Sequence, residues 1–261
     1  MILCILQARM RSTRLPGKVM LSLCGKPMLA RQIERMKRAQ LLDGIVLAAS
    51  DDVADELLFP IAQEQGVNFF RGSAHNVLDR YHGAAQKFNA SVIVRVTGDC
   101  PLIDPEVIDR VIETYLDSKC DYISNWFKPT FPDGLDVEVF SFKVLEHMRQ
   151  NAKLPSELEH VTRFVLNNQE HFNIKNYAHS EDLSKLRWTV DELDDFIFVS
   201  KIYELLFWQN QAFNFHDILA VLKDHSMLTA LNAKFFRDDG LSKSFREDAL
   251  FLKGMLKEAG I

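Results

Sequence analysis

Several features that would each have pointed somewhere definite are missing from this 261-residue sequence. No apolar run approaches the roughly eighteen residues that would suggest a membrane span. Arg9 and Arg11 interrupt the opening apolar stretch too early for a secretory leader, so a cytoplasmic, soluble protein is expected. Cysteine is sparse. Cys4, Cys24, Cys100 and Cys120 are scattered with no C-x-x-C, which speaks against a disulfide framework or a zinc ribbon. Gly17 is the only glycine before Gly25, so neither G-x-G-x-x-G nor G-x-x-x-x-G-K-[ST] is present near the start. There is no excess of positive charge either. The net charge of −5 argues against a general nucleic-acid binder. Internal repeats, low-complexity tracts and obvious flexible linkers are absent, and His75, His82 and His216 show no metal-ligand spacing.

What the chain does have is concentrated at Gln7–Lys18, QARMRSTRLPGK. The apolar run Met1–Leu6 before it reads as a buried first strand. Arg9, Arg11, Arg14 and Lys18 then fall within twelve residues, with Ser12 and Thr13 between them and a Pro16-Gly17 turn near the end. Cations this close repel one another unless an anion sits among them. Loops at the carboxyl ends of strands in open α/β sheets are where ligands bind. The expectation is a polyphosphate cradle made from side-chain cations as much as from backbone amides. A solvated basic loop is the plain alternative.

Downstream, strand and helix alternate. Lys26-Pro27 opens a helix over Met28–Ala39, and Gly44–Ser50 is a second buried strand. Asp51-Asp52 caps a helix over Val53–Gln65, Gly66–Phe70 is a third strand, Asn76–Phe88 a helix and Ser91–Val96 a fourth strand. This rhythm predicts an α/β, Rossmann-like fold with a mainly parallel sheet covered on both faces. After Asp121 the pattern changes. Strands at Tyr122–Asn125 and Asp136–Phe140 flank a Pro- and Gly-containing loop, and helices follow at Phe142–Asn151 and Ser156–Asn168. Leu186–Val190 reads as a late strand and Glu192–Trp208 as a long helix. We divide the chain into an α/β domain, 1–210, and a helical extension, 211–261, serving as a cap or a dimerisation element. Phe213, Phe215, Leu219, Leu222, Leu228 and Leu231 give that extension more apolar surface than a thin cap needs.

Two aspartates stand at strand ends. The fourth strand runs into Thr97-Gly98-Asp99-Cys100-Pro101-Leu102-Ile103-Asp104, where the glycine permits a tight turn and Asp99 projects from the ligand edge. Asp104 caps the helix that Pro105 opens. Asp191, in Arg187-Trp188-Thr189-Val190-Asp191-Glu192, ends the late strand and precedes a helix. A bound triphosphate requires Mg²⁺, which takes one or two carboxylates together with phosphate oxygens and water. Asp99 suits that role, with turn capping as the alternative. Asp191 is a second ligand, a helix N-cap, or both. In Pro132–Val139, Asp133, Asp136 and Glu138 could bond sugar hydroxyls or simply mark a half-exposed strand.

These strings resemble the cytidylyltransferases that activate sugars as CMP derivatives. The CMP-Kdo and CMP-acylneuraminate synthetases belong there, as does the spore-coat polysaccharide biosynthesis protein F family, to which the chain looks nearest. The shared opening Q-A-R-x-x-S-x-R-L-P-G-K is matched by Gln7-Ala8-Arg9, Ser12 and Arg14-Leu15-Pro16-Gly17-Lys18, and G-K-P-[ML] by Gly25-Lys26-Pro27-Met28. G-D-x-P-L-I-D, T-V-D-x-x-x-D-F, P-x-G-x-D-[VC]-E and E-H-V-T recur at Gly98, Thr189, Pro132 and Glu159. The likeness covers roughly residues 1–205. It implies a sheet of the nucleotide-diphospho-sugar transferase type, CTP and a sugar or sugar acid as substrates, Mg²⁺ as cofactor, and a homodimer. It implies nucleotide binding by Gln7, Ala8, Arg9, Ser12, Arg14 and Lys18, with Lys18, Arg14 and Asp99 catalytic. Asp99 and Asp191 would hold the metal, and Asp133, Asp136, Glu138 and His160 would line the sugar pocket. A GT-A-type glycosyltransferase would carry a D-x-D after a strand where Gly98-Asp99-Cys100 stands. A non-catalytic sugar-nucleotide-binding homologue would not be expected to keep Lys18, Asp99 and Asp191 together.

Overall fold

Leu3, Cys4, Ile5 and Leu6 leave no polar face for a strand to turn toward water. In the computed structural model, which describes residues 1–237 and 241–258, they sit inside the sheet. Strand β1 (Ile2–Gln7) sends Cys4 and Leu6 into one core and Leu3 and Ile5 into another, all fully buried. Its neighbours are β2 (Gly44–Ser50), an apolar run of the same kind, and β4 (Val92–Thr97), apolar but for Arg95 and Thr97, and both pair with β1 in parallel. Burial on both faces requires a helical layer on each side. Those layers come from α1 (Met28–Met36), α2 (Phe59–Gln65), α3 (Val77–Lys87) and α4 (Pro105–Asp117).

With β3 (Asn68–Gly72), β5 (Tyr122–Ser124), β6 (Glu138–Ser141) and β7 (Ile174–Asn176), the seven strands run in the order β3-β2-β1-β4-β6-β5-β7. Only β6 is antiparallel to its neighbours. The chain moves outward from β1 to β3 and then returns to lay β4 on the other side of β1. That reversal opens a crevice at the carboxyl ends of β1 and β4. Gln7 pairs with Thr97, so the Gln7–Lys18 loop and the Asp99 turn leave the sheet side by side.

Several boundaries differ from the sequence expectation, each for a local reason. The helix expected over Val53–Gln65 begins as a 3₁₀ stretch, Val53–Leu58, capped by Asp52, and becomes α-helical at Phe59 where Pro60 needs no amide partner. The strand expected over Asp136–Phe140 starts only at Glu138. Val137, Glu138 and Val139 are all buried, so it is not a half-exposed strand. The helix expected over Ser156–Asn168 is split into α6 (Pro155–Glu159) and α7 (Arg163–Asn167), with Val161 at φ 51° between them. Leu186–Val190 is not a strand. Among the described residues a single bridge between Asp133 and Arg187 is its only sheet-like pairing, and the apolar pattern reflects the complete burial of Trp188 and Val190. Strand β7 was not anticipated, because Ile-Lys-Asn carries too little apolar character to show an edge strand.

After α5 (Phe142–Asn151) and α8 (Leu193–Leu206), the last described helices are α9 (Phe215–Asp224) and α10 (Leu241–Glu258). Phe213, Phe215 and Leu222 lie inside the main core, and Leu219 and Leu228 pack against it. Asp104 caps α4 as expected, and its other oxygen accepts from the Phe215 amide at 2.7 Å. These apolar residues are therefore largely consumed within one chain. Leu231 stays exposed, as do Met227 and, on α10, Leu250, Phe251, Leu252 and Met255, so part of the extension's apolar surface is uncovered. Among the described residues no helix is long and apolar enough to cross a membrane, and all four cysteines are free thiols.

Candidate active site

A cleft of about 350 Å³ opens at the β1–β4 switch point. Every residue to which the resemblance gives a binding or catalytic role lines it: Gln7, Ala8, Arg9, Ser12, Arg14, Lys18, Asp99, Asp133, Asp136, Glu138, His160 and Asp191. Two glycines make this convergence possible. A Cβ at Gly98 would lie 2.9 Å from both the Gln7 carbonyl and the Ala8 Cβ, so only glycine lets the Asp99 turn close against the end of β1. Gly134, at φ 107°, brings its loop so near Thr189 that a Cβ would sit 2.5 Å from the Thr189 nitrogen. The Asp133 carbonyl there accepts from the amides of Trp188 and Thr189 at 2.6 and 2.9 Å.

At the centre is Lys18. Its ammonium donates to Asp99 Oδ2 at 3.1 Å, Asp191 Oδ1 at 2.8 Å and the Val190 carbonyl at 2.7 Å. Burial alone would pull this lysine down, but the two carboxylates outweigh it and hold the ammonium above its ordinary value. Burial likewise works against the Asp99 carboxylate. Lys18 and a Thr97 hydrogen bond overcome it, and Asp99 drops to about 2. Arg14 reaches the other Asp191 oxygen at 2.8 Å. The Asp191 carboxylate therefore faces the cleft and does not cap α8. Asp195 serves that helix start, accepting from the Asp191 and Glu192 amides at 3.0 and 2.9 Å.

The basic loop answers its own repulsion with carboxylates. Arg9 lies 3.6 Å from Glu159, and Arg14 and Lys18 meet Asp191. Arg11 turns out of the cleft to Asp52 at 3.1 Å, so three of the four loop cations, not four, face the crevice. An anion is thus not needed to hold the loop cations together. A polyphosphate entering here would exchange one set of ion pairs for another.

The acceptor half is a second charged lattice. Arg187 holds Asp195 through two bonds of 2.9 and 3.0 Å, Asp133 at 2.9 Å and Asp191 at 3.3 Å. Glu138 is buried and accepts from Arg95, Thr162 and the Tyr122 hydroxyl, the last at 2.7 Å. Arg95 also donates to the Gln7 side chain at 3.3 Å, joining the two halves. Arg80, Arg95, Arg163 and Arg187 also line the cleft, and none of them was given a role from the sequence. Arg187 was legible in principle, standing four residues before Asp191 and eight before Asp195. Arg80 carried no signal: it is an ordinary helical arginine until the fold buries it, 2% exposed, against the end of β3.

Asp133 is pushed up to about 6, chiefly by burial. Arg237 and Arg187 pull it down, and the nearby Asp99 and Asp191 charges add to the rise. Between about pH 4 and 6 the folded protein keeps this proton while the unfolded chain, near 3.8, has lost it. Stability therefore falls as pH rises through that window. Asp133→Asn removes the ionisation, so its melting temperature relative to wild type should climb from pH 4 to pH 7. A difference that stays flat over that range would contradict the shift.

The donor set also fits a divalent metal. Asp99, Asp191 and the Val190 carbonyl converge on one cation, and hard oxygens of this kind suit Mg²⁺. Among the described residues no cluster of three His, Cys, Asp or Glu side chains offers a fuller cage, so the remaining ligands would be water and substrate oxygens.

Fold and cleft define an α/β protein of the switch-point type, with an acidic pair and a basic loop facing each other across the crevice. A family model described as Cytidylyltransferase matches residues 3–189, and the chain belongs to that family. It is 32% identical over 210 residues to spore coat polysaccharide biosynthesis protein SpsF of Bacillus subtilis, spanning 78% of this chain and 86% of that one. It is 32% identical over 135 residues to a 3-deoxy-manno-octulosonate cytidylyltransferase of Chloroherpeton thalassium, spanning 51% and 53%. The solved structure of a cytidylyltransferase from Leptospira borgpetersenii superposes with a TM-score of 0.85 at 32% identity, covering 90% of this chain and 99% of that chain.

Proposed function

We propose that this cytidylyltransferase-family member transfers CMP from CTP to a sugar or sugar acid, releasing pyrophosphate, for surface polysaccharide or glycoconjugate biosynthesis. The observation that carries the reading is the Lys18–Asp99–Asp191 cluster, closed at the switch point between a basic loop and a carboxylate-rich acceptor wall. Arg9, Arg14 and Lys18 would bind the triphosphate and neutralise the departing pyrophosphate. Gln7, Ala8 and Ser12 would shape the nucleotide end. Transfer of this kind is mostly positioning and charge neutralisation. Asp133, Asp136 and His160 would orient the acceptor hydroxyl, with Glu138 holding Arg95 and Thr162 in place. Asp133 titrates in the range that suits a proton acceptor. Asp99 and Asp191 would hold Mg²⁺, which when bound supplies charge neutralisation at the phosphates. A homodimer, supported by the resemblance and the apolar extension, and a cytoplasmic location, supported by the charged start of the sequence, belong to the same proposal.

The test is a pyrophosphate-release assay with four nucleoside triphosphates against a panel of sugars, sugar acids and sugar phosphates. CTP with at least one acceptor should give turnover at least tenfold above the other triphosphates, a discrimination of about 1.4 kcal/mol. Equal rates with all four, or none with CTP, would overturn the reading.

A further inference from the structure

The family match stops at residue 189, yet the cleft does not. Phe236 and Leu241 line it, and the segment carrying them is latched at both ends. Asn232, buried, donates to the Arg187 carbonyl at 3.0 Å and to Asp195 at 2.9 Å. On the far side, Asp248 of α10 accepts from the Ser156 amide and hydroxyl at 2.8 and 2.6 Å, and Ser244 meets His160 Nε2 at 2.9 Å. Between the latches, Arg237 donates to Asp136 at 3.0 Å and lies 3.8 Å from Asp133. Phe245 supports the Arg163 guanidinium, 4.7 Å from its ring centre.

Both arginines keep unmet donors, although Arg237 is paired with Asp136 and Asp133 and Arg163 is not paired with a carboxylate among the described residues. Arg9, Arg14, Arg95 and Arg187 each have a carboxylate within 4.0 Å, whereas among the described residues Arg163 has none. Its Nε is buried without a hydrogen bond, as are Nε and Nη1 of Arg237. Burying unmet donors is unfavourable unless a ligand completes them. A guanidinium stacked on an aromatic ring is also pre-organised for a planar or tetrahedral oxyanion.

We propose that Arg163, braced by Phe245, and Arg237 form a binding site for an anionic group on the acceptor, the carboxylate of a sugar acid or the phosphate of a sugar phosphate. The C-terminal segment is then a specificity element of this cleft. That the ligand is the acceptor rests on the transfer reading; the anion site itself does not. Arg163 acts by touching the acceptor, and Phe245 is a positioning residue.

Calorimetric titration of the full chain, without CTP, tests this with Kdo, N-acetylneuraminate and glucose 1-phosphate against neutral glucose and N-acetylmannosamine. At least one anionic sugar should bind, and its neutral counterparts should not. Which anion binds separates the carboxylate from the phosphate. Arg163→Gln should weaken that binding about tenfold or more, the scale of one charge-assisted hydrogen bond. Arg163→Lys should recover part of it, and CTP affinity should be unchanged in both. Phe245→Leu should weaken anion binding less than Arg163→Gln. An arginine that merely pins α10 would lower the melting temperature and leave the acid-over-neutral preference intact, which overturns the proposal. So would the absence of binding by every anionic sugar at millimolar concentration. Failure of CTP to bind would sink the transfer reading and leave the anion titration to decide this one.

Discussion

Asp99→Asn should lose roughly a hundredfold or more in kcat while remaining folded, because in the proposed function Asp99 helps hold a metal whose charge stabilisation is worth several kcal/mol. Amide and carboxylate share a shape, and Lys18 would keep Asp191 and the Val190 carbonyl as partners. What changes is the charge presented to a hard cation. Asp191→Asn should behave alike, and the double variant should be little worse than either single one, since both act through one centre. Because Asp191 does not cap α8, a helix-end effect does not compete with this explanation. A Mg²⁺ titration of kcat for the three variants checks it. Near wild-type turnover by Asp99→Asn at saturating Mg²⁺ would remove the acidic pair from the chemistry.

Lys18→Met should have the largest effect on the protein without substrate. Removing the ammonium leaves Asp99 and Asp191 facing each other with Arg14 and Arg187 on one side only. Breaking a buried pair costs roughly 3–5 kcal/mol. The cleft is open to water, with Asp99 27% exposed, so the lower end is appropriate. For a chain of this size about 3 kcal/mol lowers Tm by roughly 6–12 °C. Added Mg²⁺ should then raise the variant's Tm more than that of wild type. In wild type an ammonium holds the point on which the carboxylates converge; in the variant nothing competes for it. Equal Mg²⁺ shifts in both proteins would place the metal elsewhere. Enzymatic turnover is not needed for this readout, so it separates metal binding from catalysis.

The sequence made the parallel half of the sheet plain because β1 and β2 carry uninterrupted apolar runs and β4 one broken only by Arg95. The segment around Trp188 misled for the same reason. Trp188 and Val190 are buried without pairing, and burial and strand formation leave the same mark on a single chain. Strand β7, at the sheet edge, left almost no mark at all. Within the site, Gln7–Lys18 and Asp99 were legible because chemistry and strand ends coincide there. Asp191 was legible because a buried apolar segment carries it to the same place, although that segment is not a strand. The partners of Lys18 were not, since 81 and 173 residues separate it from Asp99 and Asp191. Nor was the contribution of Phe236, Arg237 and Phe245. Nothing in their spacing shows that a helical tail returns to a cleft built by the first strands.

The central claim is transfer of CMP to an acceptor, and the product's mass tests it most directly. Purified protein incubated with CTP, Mg²⁺ and an anionic sugar should yield one new species whose mass is that of the acceptor joined to CMP. Pyrophosphate should appear in equal amount. CMP or CDP with free phosphate and an unchanged acceptor, or a sugar moved onto a second acceptor, would contradict the account.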